Sequence, residues 1–201
     1  IVLISFEGID GCGKSTQIKL LKDYFNLRGV KFSVFREPGG TEISEKIRSL
    51  LLHETEDMDP TTELLLFSAA RSQLVAEEIV PRLESGEIVI LDRFFDSTTA
   101  YQGYGRKSAK LSHIETLNKL ATHHTEPDIT FYLRIDPKEA AKRTQTGEKD
   151  RMEKAGDDFF RKVCNGYDQL SRLKRFEVID ATESQETVHQ KIIARLNKAL
   201  Y

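Results

Sequence analysis

Short apolar runs alternate with longer amphipathic segments along the chain. The apolar runs predict five β-strands, over residues 1–7, 31–36, 87–92, 128–135 and 176–180. Apolar runs of this kind are typical of strands that are covered on both faces. Strands separated by helical segments therefore favour a mostly parallel sheet with right-handed crossovers.

The segments between the strands carry apolar residues at helical spacing. The predicted helices lie at residues 14–28, 42–53, 138–144, 157–173 and 187–200, with two more after Asp59 and around Ser112. Asp59-Pro60 provides an N-cap and a first-turn proline, and Pro81 is expected to kink or shorten the same helix near its end. Ser112-x-x-Glu115 resembles a capping box. The pattern predicts an α/β three-layer sandwich, with five parallel strands, helices on both faces and ligands beyond the carboxyl ends of the strands.

Composition restricts the class of protein. The 201 residues are 39% hydrophobic and 31% charged, with a net charge of −2. These values predict one globular domain over residues 1–201 and give no basic excess for nucleic acid or a membrane surface. No apolar run approaches the length of a membrane span, and the apolar start is interpreted as a strand rather than a signal peptide. Cys12 lies in a glycine-rich loop and Cys164 in a helical pattern, so we expect free thiols and a cytoplasmic location.

A glycine-rich loop follows the first predicted strand and opens the first predicted helix. Its sequence, Gly8-Ile9-Asp10-Gly11-Cys12-Gly13-Lys14-Ser15, fits the P-loop pattern G-x-x-x-x-G-K-[ST]. The glycines allow successive backbone N–H groups to surround phosphate oxygens, and the helix N-terminus adds partial positive charge. Lys14 is expected to reach the β- and γ-phosphates of ATP, and the Ser15 hydroxyl to bind Mg²⁺. The predicted nucleotide-binding set extends from Gly8 through Thr16.

Two other nucleotide-binding classes fit this loop less well. A dinucleotide fingerprint would need a third glycine, but Gly11-x-Gly13-x-x-Thr16 ends in threonine and contains Lys14. A GTP-dependent switch would need Asn-Lys-x-Asp to recognise guanine. The nearest match, Asn118-Lys119-Leu120-Ala121, has alanine where the acid is required. It lies in a predicted helix, so we interpret it as a surface coincidence.

An acidic residue and a basic residue close the third predicted strand. Asp92 follows the apolar run 88–91 and should lie beside the P-loop, where a carboxylate can hold Mg²⁺ directly or through water. The neighbouring Arg93 would face the phosphates that are joined. The alternative is a surface acid and base that merely end a strand.

Three motifs follow one another over most of the chain. They are Phe6-Glu7-Gly8-x-Asp10-Gly11-x-Gly13-Lys14-Ser15-Thr16, Arg36-Glu37-Pro38-Gly39-Gly40-Thr41 and Asp92-Arg93-x-x-x-Ser97-Thr98-x-Ala100-Tyr101-Gln102-Gly103, with Phe67-Ser68-Ala69-Ala70-Arg71 before the third. The combination resembles the thymidylate kinase family, whose fold is that of the nucleoside-monophosphate kinases. The resemblance implies Mg²⁺-dependent transfer of the γ-phosphate of ATP to dTMP in a homodimer. The alternative enzyme is a kinase for dUMP, UMP, CMP or GMP, and the alternative class is a nucleotide-dependent binding switch.

The resemblance also implies how the acceptor base is held. Phe67 and Arg71 are four residues apart on one helical face, so a ring and a guanidinium can line one pocket. By resemblance, Phe67 stacks on thymine and Arg71 contacts its carbonyl O4, although the apolar run before Phe67 alone would favour a core residue. Thr98 is implied to meet the N3 edge of the base, with Ser97 and Gln102 nearby.

The sugar and the acceptor phosphate have their own candidates. The resemblance implies that Tyr101 packs on the sugar and that Asp10 meets its 3′-hydroxyl, where a nearby cation must compensate the acid. Arg48 and Arg93 are candidates for the acceptor phosphate, supported by Arg36, because a guanidinium binds phosphate through two hydrogen bonds. Arg48 fits a solvated helix residue equally well.

A basic segment after the fourth strand is the candidate lid. Residues 142–155 lie where relatives with a lid arginine carry this element, and the variable positions of the P-loop contain no base. By resemblance to the bacterial type, Arg151 is the main lid arginine and Arg143 and Lys149 assist it. Thr146 stands where an arginine is common, which leaves the division of labour open. An exposed charged loop is the alternative.

Overall fold

A five-stranded parallel sheet forms the centre of the molecule. The computed structural model describes residues 2–54, 57–144 and 155–200. Its strands are β1 (Leu3–Glu7), β2 (Phe32–Arg36), β3 (Ile88–Asp92), β4 (Ile129–Arg134) and β5 (Phe176–Asp180). All neighbouring strands are parallel, in the order β2-β3-β1-β4-β5. The predicted sheet is confirmed, and the strand order reverses beside β1, where an open α/β sheet binds its ligands.

Helices connect the strands in sequence. They are α1 (Lys14–Leu27), α2 (Glu42–Ser49), α3 (Pro60–Leu74), α4 (Val80–Glu84), α5 (Phe95–Thr98), α6 (Leu111–Ala121), α7 (Pro137–Arg143), α8 (Asp157–Leu170) and α9 (Gln185–Leu200). Wide π-helical turns extend α2, α3 and α5, over Leu50–Glu54, Val75–Ile79 and Thr99–Gly105. The regular α-helix that Asp59 caps ends at Leu74, and the π-helical turn after it lies just before Pro81, which cannot donate a regular helical hydrogen bond.

Alternation along β1 separates two buried faces. Leu3 packs in a cluster with Leu74 of α3 and Leu91 of β3, whereas Ile4 and Phe6 pack in the larger cluster that includes α1 and α9. Because side chains alternate along a strand, Ser5 and Glu7 point to the same side as Leu3. Both are fully buried, so this side of the sheet carries polar groups in its interior.

Two local predictions about α6 are wrong. The helix begins at Leu111 after Lys110, and Ser112 lies inside it rather than at its N-cap, so there is no capping box. Asn118 is not a surface residue: it is 4% exposed, and its Nδ2 donates to Thr99 Oγ1 at 3.0 Å. The Asn118-Lys119-Leu120-Ala121 match therefore lies in a helix, as predicted, but its asparagine is part of the packing.

Among the described residues, no helix is both long enough and apolar enough to cross a membrane.

Candidate active site

The P-loop lies between the end of β1 and the start of α1. Gly8, Gly11 and Gly13 have φ values of 135°, 82° and 96°, in the region that favours glycine. A Cβ on Gly11 would lie 2.4 Å from the carbonyl oxygen of Ala140, so the loop passes directly against α7. The Lys14 Nζ donates to the carbonyl oxygens of Gly8 and Ile9, at 3.0 and 3.2 Å. The loop thus has the backbone of a phosphate cradle, and its lysine is buried against the loop carbonyls.

A cleft of about 950 Å³ opens above this loop. Its lining includes residues 10–16 of the predicted nucleotide-binding set, but not Gly8 or Ile9, together with residues from the end of β5 to the first turn of α9. The lining is Asp10, Gly11, Cys12, Gly13, Lys14, Ser15, Thr16, Gln17, Arg36, Glu37, Arg48, Asp92, Arg93, Arg143, Ala181, Glu183, Ser184, Gln185 and Val188. A volume of this size is within the range of small-molecule sites.

The donors for a magnesium ion face this cleft. Ser15 lies in the first turn of α1 and Asp92 ends β3, and both line the cleft. Among the described residues no group of three His, Cys, Asp or Glu side chains could enclose a metal. Hydroxyl and carboxylate oxygens suit Mg²⁺, which usually binds one or two carboxylates, several waters and the phosphates of the substrate. The residues present therefore fit a magnesium ion that is held largely by the nucleotide.

Arg93 and Asp10 form the centre of the site. The Arg93 Nη2 donates to Asp10 Oδ1 at 2.7 Å, and its Nη1 donates to the carbonyl oxygen of Gly8 at 2.9 Å. Burial alone would raise the pKa of Asp10, but the Arg93 guanidinium and the Lys14 ammonium outweigh it and lower the pKa to about 2. Arg93 is therefore the main cation that compensates the negative charge of Asp10 in the P-loop. Arg93 itself has φ 71°, a left-handed conformation that strains a non-glycine residue.

A second cavity adjoins the first. It is lined by Asp10, Glu37, Pro38, Arg48, Leu52, Phe67, Arg71, Arg93, Phe94, Ser97, Thr98, Tyr101 and Gln102. Most of the predicted acceptor residues are thus brought together, although Arg36 lines the larger cleft instead. Phe67 is half-buried at the wall of the cavity rather than in the core. The Tyr101 ring lies against Arg93, with its centroid 5.1 Å from the guanidinium carbon.

A buried ion pair fixes one wall of the second cavity. The Arg71 Nη2 lies 2.6 Å from Glu37 Oε2, and its Nη1 donates to Thr98 Oγ1 at 2.9 Å. Burial raises the pKa of Glu37, and the Arg71 guanidinium opposes that rise. Gln102 is held in the same way, because its Nε2 donates to Glu63 Oε1 at 2.8 Å. These side chains are held in fixed orientations within the protein.

Four residues belong to both cavities, namely Asp10, Glu37, Arg48 and Arg93. Arg48 extends from α2 and its Nη1 donates to the carbonyl oxygen of Pro38 at 2.8 Å. It is half-buried between the cavities rather than on a solvated helix face. Two arginines therefore stand at the junction, where a phosphate from each side can meet.

Only part of the predicted lid lies within the described residues. Arg143 ends α7, lines the larger cleft and donates from Nη1 to the carbonyl oxygen of Ala181 at 2.9 Å. Thr146, Lys149 and Arg151 lie outside the described residues. The assignment of Arg151 therefore stays a prediction.

Sequence reasoning missed three residues of this region, Glu7, Glu37 and Tyr167. Glu37 stands in a recognised motif, but nothing in the pattern showed that it pairs with Arg71. Glu7 ends a strand whose five residues are all buried. The mostly apolar run before it is typical of a strand covered on both faces, and this was a usable signal that its last residue is buried. Tyr167 occupies a helical position with no distinguishing mark in the sequence.

Comparisons with known proteins agree on one family. The model of the thymidylate kinase family matches residues 6–192. A thymidylate kinase of Chlorobium phaeobacteroides is 46% identical over 98% of this chain and 95% of its own length. Thymidylate kinases of a Thermoanaerobacter species and of Chlorobaculum tepidum are 46% and 47% identical, over 98% of this chain and 98% and 97% of their own lengths.

Proposed function

The chain belongs to the thymidylate kinase family, and we propose that it transfers the γ-phosphate of ATP to dTMP, which yields ADP and dTDP. The observation that carries this proposal is the junction of the two cavities. Asp10, Glu37, Arg48 and Arg93 line both, so a donor and an acceptor nucleotide can present their phosphates to each other across a shared wall. Hydrolysis alone would need no second cavity of this kind.

The donor side supplies the charge for ATP. The amides of the P-loop and the α1 N-terminus cradle the phosphates, and Lys14 moves from the loop carbonyls to the β- and γ-phosphates. Ser15 and Asp92 would hold Mg²⁺, which would neutralise phosphate charge when it is bound. Arg143 and the start of α9 border the remaining part of the nucleotide.

The acceptor side orients the nucleophile. An oxygen of the dTMP phosphate attacks the γ-phosphorus as the bond to the ADP oxygen breaks, and Arg48 and Arg93 hold the acceptor phosphate in line for this step. Phe67 stacks on the base, and Thr98 and Arg71 contact its edge. Asp10 faces the 3′-hydroxyl beside Tyr101, which packs on the sugar. Catalysis then rests on positioning and cations rather than on a covalent intermediate.

The lid completes the charge distribution. Arg151 is assigned to the phosphoryl group in transfer, since the P-loop offers Ile9, Asp10, Gly11 and Cys12 at its variable positions and no base among them. An arginine in this role contributes a factor of about 10³–10⁵ in rate. Closure of the lid would also exclude water and so prevent hydrolysis of ATP.

We further propose that the protein is a homodimer. Ile43 on α2, Leu65 on α3 and Leu120 on α6 are 51%, 54% and 70% exposed. The three helices pack side by side, so these apolar side chains are available to a second copy. Light scattering should give twice the chain mass of 22.9 kDa, and a value of one chain mass at micromolar concentration would contradict the dimer.

We also propose a cytoplasmic location. The thiols of Cys12 and Cys164 are both free, which suits a reducing compartment. Fractionation of cells that express the chain should recover it with the cytoplasmic proteins. Recovery with the membrane or periplasmic fraction would contradict the proposal.

Release of ADP across a panel of nucleoside monophosphates tests the proposed reaction. The panel contains dTMP, dUMP, UMP, CMP and GMP, each with ATP and Mg²⁺. We expect dTMP to give the highest kcat/KM. A higher value for UMP, CMP or GMP would support another nucleoside-monophosphate kinase, and no acceptor-dependent release would overturn the kinase assignment.

A further inference from the structure

A fully buried acid lies directly behind the arginine of the active site. Glu7 is the last residue of β1 and is 0% exposed. Its side chain contacts residues of α5 and α8, and it lines neither of the two cavities of the site. A buried carboxylate is unfavourable unless it is satisfied by hydrogen bonds, so its partners are informative.

Both oxygens of Glu7 accept hydrogen bonds from one short stretch of chain. Oε1 accepts the backbone N–H of Phe94 at 2.8 Å, and Oε2 accepts the Ser97 hydroxyl at 2.6 Å. Oε2 also accepts the hydroxyl of Tyr167, on α8, at 2.9 Å. The two contacts on Phe94 and Ser97 bracket the turn that immediately follows Arg93. Glu7 thereby fixes the backbone next to a residue whose own φ of 71° is strained.

The same two hydroxyls hold the guanidinium of Arg93. Its Nη1 donates to Ser97 Oγ at 3.3 Å and to the Tyr167 hydroxyl at 3.4 Å. The opposite end of the guanidinium, Nη2, donates to Asp10 at 2.7 Å. A chain of hydrogen bonds thus connects Glu7 through Ser97 and Tyr167 to Arg93.

The direction of these hydrogen bonds depends on the charge of Glu7. An ionised carboxylate can only accept, so a hydroxyl that bonds to Glu7 must donate to it. The hydroxyls of Ser97 and Tyr167 also lie 2.8 Å from each other, so their two protons serve three contacts within this group. Both protons are then used there, and oxygen lone pairs remain for the Nη1 protons of Arg93. A protonated or amide side chain at position 7 would add a donor to the group, which changes the hydroxyl orientations, and would remove the negative charge that acts on Arg93.

We propose that Glu7 is a positioning residue for phosphoryl transfer: through Ser97 and Tyr167 it holds Arg93 in the orientation that receives the acceptor phosphate. This inference rests on the proposed function, because it gives Arg93 the phosphate of the acceptor nucleotide. It assigns a task to a buried acid and a buried phenol that touch neither substrate. The network also explains why a strained arginine conformation persists at this place.

Charged groups from every neighbouring element act on Glu7. Burial and the carboxylate of Asp96 on α5 raise its pKa to about 7, while the Ser97 hydroxyl and the Arg93 guanidinium oppose that rise. Tyr167 contacts it from α8, and Arg175, just before β5, lies close enough to interact with its charge. Glu7 is therefore expected to change charge near neutral pH, which provides a readout separate from stability.

Steady-state kinetics of Glu7→Gln and Tyr167→Phe test the proposal. Both variants keep the size of the side chain, and thermal unfolding checks that they are folded at the assay temperature. We expect kcat/KM for dTMP to fall at least tenfold with a raised KM for dTMP, while KM for ATP stays within twofold. Tyr132→Phe is the matched control, since Tyr132 is a buried tyrosine on the same sheet face whose ring stacks on that of Tyr167. Its kcat/KM should remain within twofold of the wild type.

The pH profile gives the second readout. The ratio of wild-type kcat/KM to that of Glu7→Gln should decrease as the pH falls through about 7, because protonated Glu7 resembles glutamine. Titration of the substrate phosphate affects both proteins and cancels in the ratio. A constant ratio between pH 6 and pH 8 would overturn the proposal, as would variants that lose stability but keep the wild-type KM for dTMP.

A wrong substrate assignment can be distinguished from a wrong role for Glu7. If another monophosphate proves to be the best acceptor of the wild type, the same variants are assayed with that nucleotide, because Arg93 faces the phosphate and not the base. A tenfold loss there would sustain the role of Glu7 although the substrate assignment had failed.

Discussion

The Arg71–Glu37 ion pair allows a quantitative test of what stabilises the second cavity, the acceptor cavity of the proposed reaction. The two side chains are 2% and 3% exposed, and the Arg71 Nη2 and Nε both contact Glu37 Oε2, at 2.6 and 2.8 Å. Because the pair is almost fully removed from water, the loss of one partner leaves an uncompensated charge in the interior. Such a loss usually destabilises a protein by about 3–5 kcal/mol.

We therefore expect Glu37→Leu and Arg71→Met each to lower the free energy of unfolding by about 3–5 kcal/mol. For a chain of 201 residues this corresponds to a fall in Tm of roughly 6–20 °C, at about 2–4 °C per kcal/mol. The double variant removes both charges, and apolar replacement of a buried ion pair is often neutral or stabilising. It should regain most of the lost stability, apart from about 1 kcal/mol for the hydrogen bond from Arg71 to Thr98.

Urea unfolding of the wild type, the two single variants and the double variant completes a double-mutant cycle. Single variants within about 1 kcal/mol of the wild type, or additive effects without recovery in the double variant, would refute the reasoning. The double variant should still be a poor kinase for dTMP, because both residues line the acceptor cavity. A wild-type kcat/KM in that variant would contradict the cavity assignment.

Three further predictions concern the phosphate side of the site. Lys14→Ala should abolish turnover and leave the far-UV circular dichroism unchanged, since the contacts of its Nζ are with the P-loop itself, through the carbonyls of Gly8 and Ile9 and the side chains of Asp10 and Cys12; full activity would exclude its role. Arg151→Ala should lower kcat much more than it raises KM for ATP, by about 10³–10⁵, and a loss of a few-fold would argue against a lid arginine. The pKa of Asp10 is lowered from the ordinary 3.8 to about 2 in the folded protein. Ionised Asp10 therefore stabilises the folded state fully when the pH is above 3.8, and this stabilisation is lost as the pH falls toward 2. Between pH 5 and pH 3 the wild type should thus lose more stability in urea unfolding than Asp10→Asn, and equal losses would contradict the Arg93–Asp10 pairing.

The strands and the P-loop could be predicted from sequence because their signals are local. An apolar run bounded by polar residues marks a buried strand, and the glycine spacing before Lys14 has few structural alternatives. The segment from Phe95 to Gly105 could not be predicted in this way. It forms α5 and a π-helical turn although it contains two glycines and several β-branched or aromatic residues. Packing of Tyr101 into the core outweighs its weak helical preference.

The buried polar residues around the site could not be predicted either, because their burial also depends on tertiary contacts. Glu7, Glu37 and Asn118 are residue types that are usually exposed, and only the fold brings each beside a partner. Their burial depends on Phe94, Arg71 and Thr99, residues that are distant in sequence. A single sequence contains no signal for such pairs. Individual motifs therefore predicted which residues form the cavities but not the network that supports them.

Direct transfer between the two adjoining cavities is the central claim, and it is tested most directly with ATP that carries a radioactive label in its γ-phosphate. With dTMP and Mg²⁺ present, the label should appear in dTDP in an amount equal to the ADP formed. Little label should appear in inorganic phosphate. Label that accumulates as inorganic phosphate at the same rate with and without dTMP, and not in dTDP, would contradict the account.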